Sequence, residues 1–194
     1  MPQRPLPTGD EPPKGFESVM AAKPQTNGLR IDCAFISQLH RSEILEIEAL
    51  RALALANVGS LVGLTNEIIS FDHEISLLPG KQASDKLMFR AYRGKVLVGY
   101  ALVVIGWPNP SEWVIQHLVI NPEFRLQGIG TDIVKKIEDF AQRSEVDAAS
   151  LFAIPLEERG TRFWEDIGYC VETGRHPLTF DGLDHELIVY RKEL

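Results

Sequence analysis

A mixed α+β domain is what this 194-residue chain predicts: a central, mostly antiparallel sheet of about six to seven strands flanked by helices, spanning 29–194 behind a Pro-rich tail at 1–28. Three observations carry that expectation. Short β-branched and aromatic runs recur along the chain, separated by turn residues. Between them lie stretches whose apolar residues repeat at helical spacing. And from Trp113 to Ala141 the chain reads as strand, glycine loop and amphipathic helix without interruption.

The tail contains Pro2, Pro5, Pro7, Pro12, Pro13 and Pro24 among Gly, Thr, Gln and Lys. Such a segment buries too little apolar surface to offset the entropy of ordering it, so a flexible tail is expected, with a binding arm or lid as the functional alternative. From Leu29 the pattern becomes regular. Ile31 to Ile36 reads as a first strand, and Ser42-Glu43 opens a helix expected to turn Ile44, Ile47, Leu50 and Leu53 inward, with Glu43 and Glu46 near its positive end. Asn57-Val58-Gly59 interrupts it, and a second helical stretch runs from Ser60 to Ile69 before a polar loop to Asp85.

A hairpin follows. Lys86–Tyr92 and Val96–Ile105 are β-rich runs joined by Arg93-Gly94-Lys95, whose glycine suits a turn. Trp113–Ile120 extends the meander, and Asn121-Pro122 ends it because proline has no N–H to donate. Next, Ile133, Val134, Ile137, Phe140 and Ala141 form one stripe opposite Lys135, Lys136, Glu138 and Asp139, so a helix starts near Gly130. Asp147–Ala153 supplies a buried strand. Phe163, Trp164 and Ile167 share a helical face that Gly168 closes, and Tyr169–Arg175 and Glu186–Arg191 complete the sheet.

Composition narrows the function classes. The formal charge is −7 with no Lys/Arg cluster, which argues against extended nucleic-acid binding and is compatible with a cationic or amine substrate. Cys33 and Cys170 stand far apart without companion ligands, so neither a metal site nor a disulfide framework is expected. No apolar run is long enough for a bilayer span, and a reducing cytoplasm is the simplest compartment. Exposed strand edges leave a homodimer open.

The glycine loop carries the chemistry. Gly128 and Gly130 allow close backbone approach, the first N–H groups of the following helix lack intrahelical partners, and Arg125 adds a permanent charge, so the loop suits a diphosphate. A dinucleotide fingerprint needs a third glycine where Ile133 stands, and a P-loop needs Gly-Lys-Ser/Thr where the chain reads Gly130-Thr131-Asp132. Neither fits, though a different phosphate ligand stays open. The pattern Arg125-x-x-Gly128-x-Gly130 after a strand, with Asn121-Pro122-Glu123-Phe124 before it, resembles the coenzyme A signature of the GNAT superfamily of acetyl-CoA-dependent N-acyltransferases. Arg162-Phe163-Trp164-Glu165-Asp166-Ile167-Gly168-Tyr169 resembles the family's second signature.

This resemblance implies a GNAT-like fold, acetyl-CoA as acyl donor, no metal, and transfer to a primary amine of a small molecule, amino acid or peptide by direct attack in a ternary complex. It also implies site residues. Leu118, Val119 and Ile120 would offer backbone groups to the pantetheine arm in a splay beside the strand. Arg125, Leu126, Gln127, Gly128, Ile129, Gly130 and Thr131 would form the pyrophosphate loop, and Phe163 and Trp164 would flank the thiol end. Asn66, Glu67, Asp72, His73 and Glu74 would contact the acceptor.

Two departures put the proton chemistry in question. Relatives often carry tyrosine where Trp164 stands and Glu or His where Gln116 stands; an indole and an amide do not transfer protons usefully. Substitutes are His117, Glu112, Tyr169 and Tyr190, beside Gln116 as a holder of water or substrate. An imidazole suits a proton relay, but strand parity sets His117 opposite Gln116 unless a bulge intervenes. Glu112 could accept a proton through water, and Tyr169 follows the closing glycine. A thiol with an ordinary pKa of about 8.5 leaves without a dedicated acid. The competing class is a coenzyme A-binding sensor or interaction module that keeps the fold without turnover.

Overall fold

The computed structural model describes residues 28–55, 85–153, 158–180 and 183–194. Within them the chain forms β1 (Leu29–Phe35), a 3₁₀ turn (Ile36–Gln38), α1 (Arg41–Leu55), β2 (Lys86–Arg93), β3 (Val96–Val104) and β4 (Glu112–Ile120). A second 3₁₀ turn (Pro122–Phe124), α2 (Ile129–Arg143), β5 (Ala148–Ala153), α3 (Glu158–Asp166), β6 (Cys170–Phe180) and β7 (Leu183–Glu193) complete it. The strands make one seven-stranded sheet in the order β1-β2-β3-β4-β5-β7-β6. Every pairing is antiparallel except β4 with β5, which α2 connects as a crossover. The expected α+β sheet is therefore the fold, at the upper strand count. The expected helix from Ser60 to Ile69, the acceptor contacts from Asn66 to Glu74 and the tail at 1–27 lie outside the described residues.

Helices cover both faces. The stripe Ile129, Ile133, Val134, Ile137, Phe140 and Ala141 buries α2 against one face, with Phe163 and Trp164 of α3 and the following Ile167 packed on the same core. On the opposite face Ile47 and Leu50 of α1 bury against Met88, Tyr92, Tyr100 and Leu102. Leu53, expected to face inward, is 51% exposed. The buried side runs through Ile44, Ile47, Leu50, Arg51 and Ala54, and at 3.6 residues per turn Leu53 falls roughly a third of a turn away from its centre.

Polar ties fix the helices to the sheet. The Glu43 carboxylate accepts from the His40 N–H at 2.8 Å, the N-cap position of α1, and pairs with Arg90 of β2, which also donates to Asp32 at 2.9 Å. Burial alone would raise the Glu43 pKa, but the His40 N–H and the Arg90 guanidinium hold it below the ordinary carboxylate value. At the C-terminal end of α3, Gly168 adopts φ 92°, and Tyr169 N–H donates to Trp164 O at 2.9 Å. Lys192 of β7 then donates to Ile167 O at 2.9 Å and to both Glu138 oxygens at 2.9 and 3.0 Å, tying α3 to α2.

The two cysteines differ in accessibility. Cys33 is buried on β1 against the α2 core, and that burial, reinforced by Asp32, pushes its thiol up to about 11; Cys170 is exposed. A disulfide-exchange reagent at pH 8 is expected to modify one thiol in the native protein and two after denaturation. A Cys170→Ser variant is expected to lose the native reaction. The raised folded pKa also gives a sign. Stability from a neutral Cys33 is complete below its ordinary value of 9.0 and is lost as pH rises through about 11, which denaturant midpoints at pH 8 and 10.5 would register.

Candidate active site

β4 pairs with β5 only from Glu112↔Ala148 to Ile115↔Leu151. Beyond Ile115 the two strands part: β5 continues through Phe152 and Ala153 on β7, while β4 continues through Leu118, Val119 and Ile120 on β3. The edge of β4 that faces the opening therefore carries backbone groups not used by β5, a place where an extended ligand adds like a short strand. The expected splay lies beside the residues expected to use it.

A bulge marks the point of divergence. Leu102 of β3 pairs with His117 and the next residue, Val103, pairs with Ile115, leaving Gln116 without a Cα partner. Ile115 belongs to the α2 core, and Leu118 and Ile120 pack against that same core, so the alternation is broken between them. Leu102, opposite His117, belongs to the α1 cluster. Gln116 and His117 thus both fall toward the α1 face, the arrangement that strict parity forbids. Gln116 Oε1 is buried and has no hydrogen-bond partner among the described residues.

At the far end of β4, the loop is built by backbone conformation. Asn121 Oδ1 accepts from the Glu123 N–H at 3.1 Å, capping the Pro122–Phe124 turn. Arg125 is fastened rather than loose: Nε donates to Ile120 O at 3.4 Å and a terminal nitrogen to Ala54 O at the end of α1 at 3.5 Å. Leu126 and Gly128 both have left-handed φ, 60° and 80°, and such alternation turns successive amides toward one concavity. Leu126 is 91% exposed, a placement with no packing reward for a leucine in a left-handed position.

Gly128 is the N-cap of α2 and offers no side chain to close it. The first intrahelical bond runs from Asp132 N–H to Gly128 O at 2.9 Å, so the amides of Ile129, Gly130 and Thr131 precede the ladder and face outward with the positive end of the helix dipole. A Cβ on Gly130 would stand 3.3 Å from Phe163 Cζ, so α3 approaches the loop closely only because that residue is glycine. Trp164 packs edge-on to Phe163 and Tyr169, with ring centroids 4.9 and 5.3 Å away. An uncapped helix start, left-handed loop residues and an open strand edge fit a long ligand ending in a diphosphate.

Three expected proton carriers sit elsewhere. Glu112 is buried at the closed end of the β4–β5 pair, four residues before the bulge or about 13 Å along a strand. It accepts from Asn109 Nδ2 at 3.2 Å and pairs with Arg191 Nε at 3.6 Å, so it braces the start of the strand instead of meeting the opening. Tyr169 is 1% exposed within the α2 core, under Lys192, and burial first, then Glu138, pushes its phenol above the range in which tyrosine titrates. It packs because the helix-closing glycine directs the chain into the core. Tyr190 is likewise buried, at 1%.

One residue of the site was not anticipated. Arg93, read from sequence only as part of a hairpin turn, donates to Gln127 Oε1 at 2.7 Å across 34 positions, and its guanidinium lies 5.5 Å from the Phe124 ring centroid. The hairpin turn is therefore one wall of the loop. No group of three or more His, Cys, Asp or Glu among the described residues could hold a metal ion. Among the same residues no helix is long and apolar enough to cross a membrane.

A mixed sheet split at the one parallel pair among its described strands, with an uncapped helix start directly beyond the split, suits a long phosphorylated ligand. The chain belongs to the GNAT acetyltransferase family: the model described as the acetyltransferase (GNAT) family matches residues 64–169, more than half of its length. No curated protein matches it by sequence. Among solved structures, an acetyltransferase from Thermus thermophilus is similar with a TM-score of 0.62 at 16% identity, covering 86% of this chain and 99% of that one. The PaiA N-acetyltransferase from Thermoplasma acidophilum, in complex with coenzyme A, has a TM-score of 0.60 at 15% identity over 85% of this chain and 99% of that one. A GNAT family acetyltransferase from Elizabethkingia anophelis with acetyl-CoA bound gives 0.58 at 14% over 87% and 99%. At these identities the likeness is one of fold.

Proposed function

We propose that this protein is an N-acetyltransferase that moves an acetyl group from acetyl-CoA to a primary amine of a small molecule, amino acid or peptide, by direct attack of the amine in a ternary complex. The observation that carries the reading is the opening of β4 from β5 directly after Ile115, bounded by the bulge at Gln116 and continued by the uncapped start of α2. Acetyl-CoA, when bound, supplies the activated thioester. The amides of Gln127 to Thr131 would receive its diphosphate, with Arg125 setting the charge of the loop. The open edge of Leu118, Val119 and Ile120 would take its pantetheine arm, and Phe163 and Trp164 would flank the thiol end. Gln116 Oε1 would accept an N–H of the acceptor amine, which orients the nitrogen lone pair. His117, brought to the same face by the bulge, would take the proton directly or through one water. The departing thiolate draws its proton from water. Two thiols without a disulfide partner suit a reducing cytoplasm.

Release of free thiol from acetyl-CoA across a panel of primary amines tests the reading, and turnover on at least one class is expected. Coenzyme A is expected to raise the melting temperature where ATP does not, because a ligand specific for the native state stabilises by mass action. Equal stabilisation by ATP would assign the loop to another phosphate ligand. A second reading, a coenzyme A sensor without turnover, is favoured by one observation: an amide and an indole stand at Gln116 and Trp164, where proton carriers would serve an enzyme. Tight coenzyme A binding with no turnover on any amine would establish that reading instead.

A further inference from the structure

We propose that Arg93 is a positioning residue of the phosphate loop, acting through the Gln127 side chain to fix the backbone amides that meet the ligand. The inference rests on the reading of that loop as a diphosphate site. Between the 3₁₀ turn and α2, the loop consists of exposed residues from Arg125 to Gly128 and buries little side-chain surface of its own. Its order must come from hydrogen bonds. The Gln127 amide supplies them from both ends: Oε1 accepts from Arg93 at 2.7 Å, and Nε2 donates to Glu123 O at 3.2 Å. The side chain is thus a strut between the β2–β3 turn and the turn that precedes the loop. Its own backbone N–H stands among those expected to face the diphosphate.

Arg93 suits this role better than a shorter cation would. It is the last residue of β2, where Arg93 pairs with Val96 across the turn, so its Cα is held by the sheet. The guanidinium plane rests near Phe124, 5.5 Å from the ring centroid, which orients the fork toward Gln127. The placement also has a cost: Arg93 Nε is buried without a hydrogen-bond partner among the described residues. A side chain selected for stability alone would not leave a buried guanidinium donor unspent while reaching across to an exposed glutamine. The arrangement favours the loop over the hairpin. It also brings a guanidinium to Gln127 of the loop in a chain whose net charge is −7, adding to the local attraction for an anion.

Calorimetric titration of coenzyme A into wild-type protein, Arg93→Ala, Gln127→Ala and the double variant tests the mechanism without needing turnover. Each single substitution is expected to weaken coenzyme A about tenfold, in line with a charge-assisted hydrogen bond. The double variant is expected to lie within about threefold of either single one, because both changes cut the same strut. Melting of the unliganded proteins should differ little. Arg93→Lys, which keeps a cation over Phe124, is expected to lose affinity in the same direction by about threefold, and it replaces the alanine variant if that variant folds poorly. Losses that multiply in the double variant, or an Arg93→Ala affinity within twofold of wild type, would overturn the proposal. Failure of the wild-type protein itself to bind coenzyme A would instead strike the reading of the loop as its site.

Discussion

Replacing Gly128 with valine is expected to reduce coenzyme A affinity by at least about 100-fold while leaving the protein folded. The residue holds φ 80°, and a Cβ built there meets nothing within 4 Å, so the substitution creates no clash and acts through the backbone alone. A left-handed conformation costs a β-branched residue about 1–2 kcal/mol, and the chain relieves it by rotating the Gly128 peptide units. That rotation turns away the amides at the head of α2 that would receive the diphosphate. Losing two hydrogen bonds to a charged group at about 1.5–3 kcal/mol each corresponds to a factor of about 100 or more. The cost to folding is confined to the strain, roughly 2–8 °C in melting temperature for a chain of this size. Gly130→Ala makes the contrast. Its Cβ would press on Phe163 at 3.3 Å, a side chain able to yield, so a smaller loss of affinity is expected there. Titration of both variants with coenzyme A, alongside thermal melts, separates the two. A Gly128→Val protein that binds like wild type would remove the loop from the site.

The contrast between these two glycines also shows what was legible in the chain before its structure. The segment from Glu112 to Arg143 could be read because each of its signals is local: β-branched residues for the strand, Asn121-Pro122 for its end, glycines for the loop, and a stripe from Ile133 to Ala141 for the helix. Features that depend on pairing could not. The bulge at Gln116 exists only as a register shift against β3, and nothing in the run Ile115-Gln116-His117-Leu118 announces it. Arg93 looked like hairpin punctuation because its partner lies 34 residues away, and the one available hint was a cation in a turn that the meander brings beside the loop. Leu53 and Tyr169 failed for a related reason. A helix of mixed composition leaves the phase of its buried face to tertiary contacts, and a tyrosine after a helix-closing glycine enters the core or the cleft according to the strand it joins. Glu112 was read as a proton acceptor through water, but it stands at the closed end of β4, a distinction set by where β5 leaves β4.

The largest catalytic effect is expected at His117. Of the four residues considered as proton carriers, Glu112 braces the strand start, Tyr169 and Tyr190 are buried in the core, and only His117 stands beside the opening, one residue past the bulge. His117→Ala is expected to lower kcat about 100-fold at neutral pH, the lower range for a positioned general base, with the KM for acetyl-CoA unchanged because the loop and the β4 edge are untouched. The deficit should narrow as pH rises toward the pKa of the acceptor amine, since the amine then arrives neutral and hydroxide takes the proton its nitrogen sheds on forming the amide. Gln116→Ala is expected to behave differently. An amide carries no titratable proton, so the shape of the pH profile should persist while the KM for the acceptor rises about tenfold, the loss of one hydrogen bond to the nucleophile. Gln116→Glu sharpens the distinction by placing a carboxylate at the bulge: activity below neutral pH should rise relative to wild type if this position meets the acceptor nitrogen. Full activity in His117→Ala would show that protons leave the amine through water alone. Unchanged acceptor KM in Gln116→Ala would detach the bulge from substrate orientation.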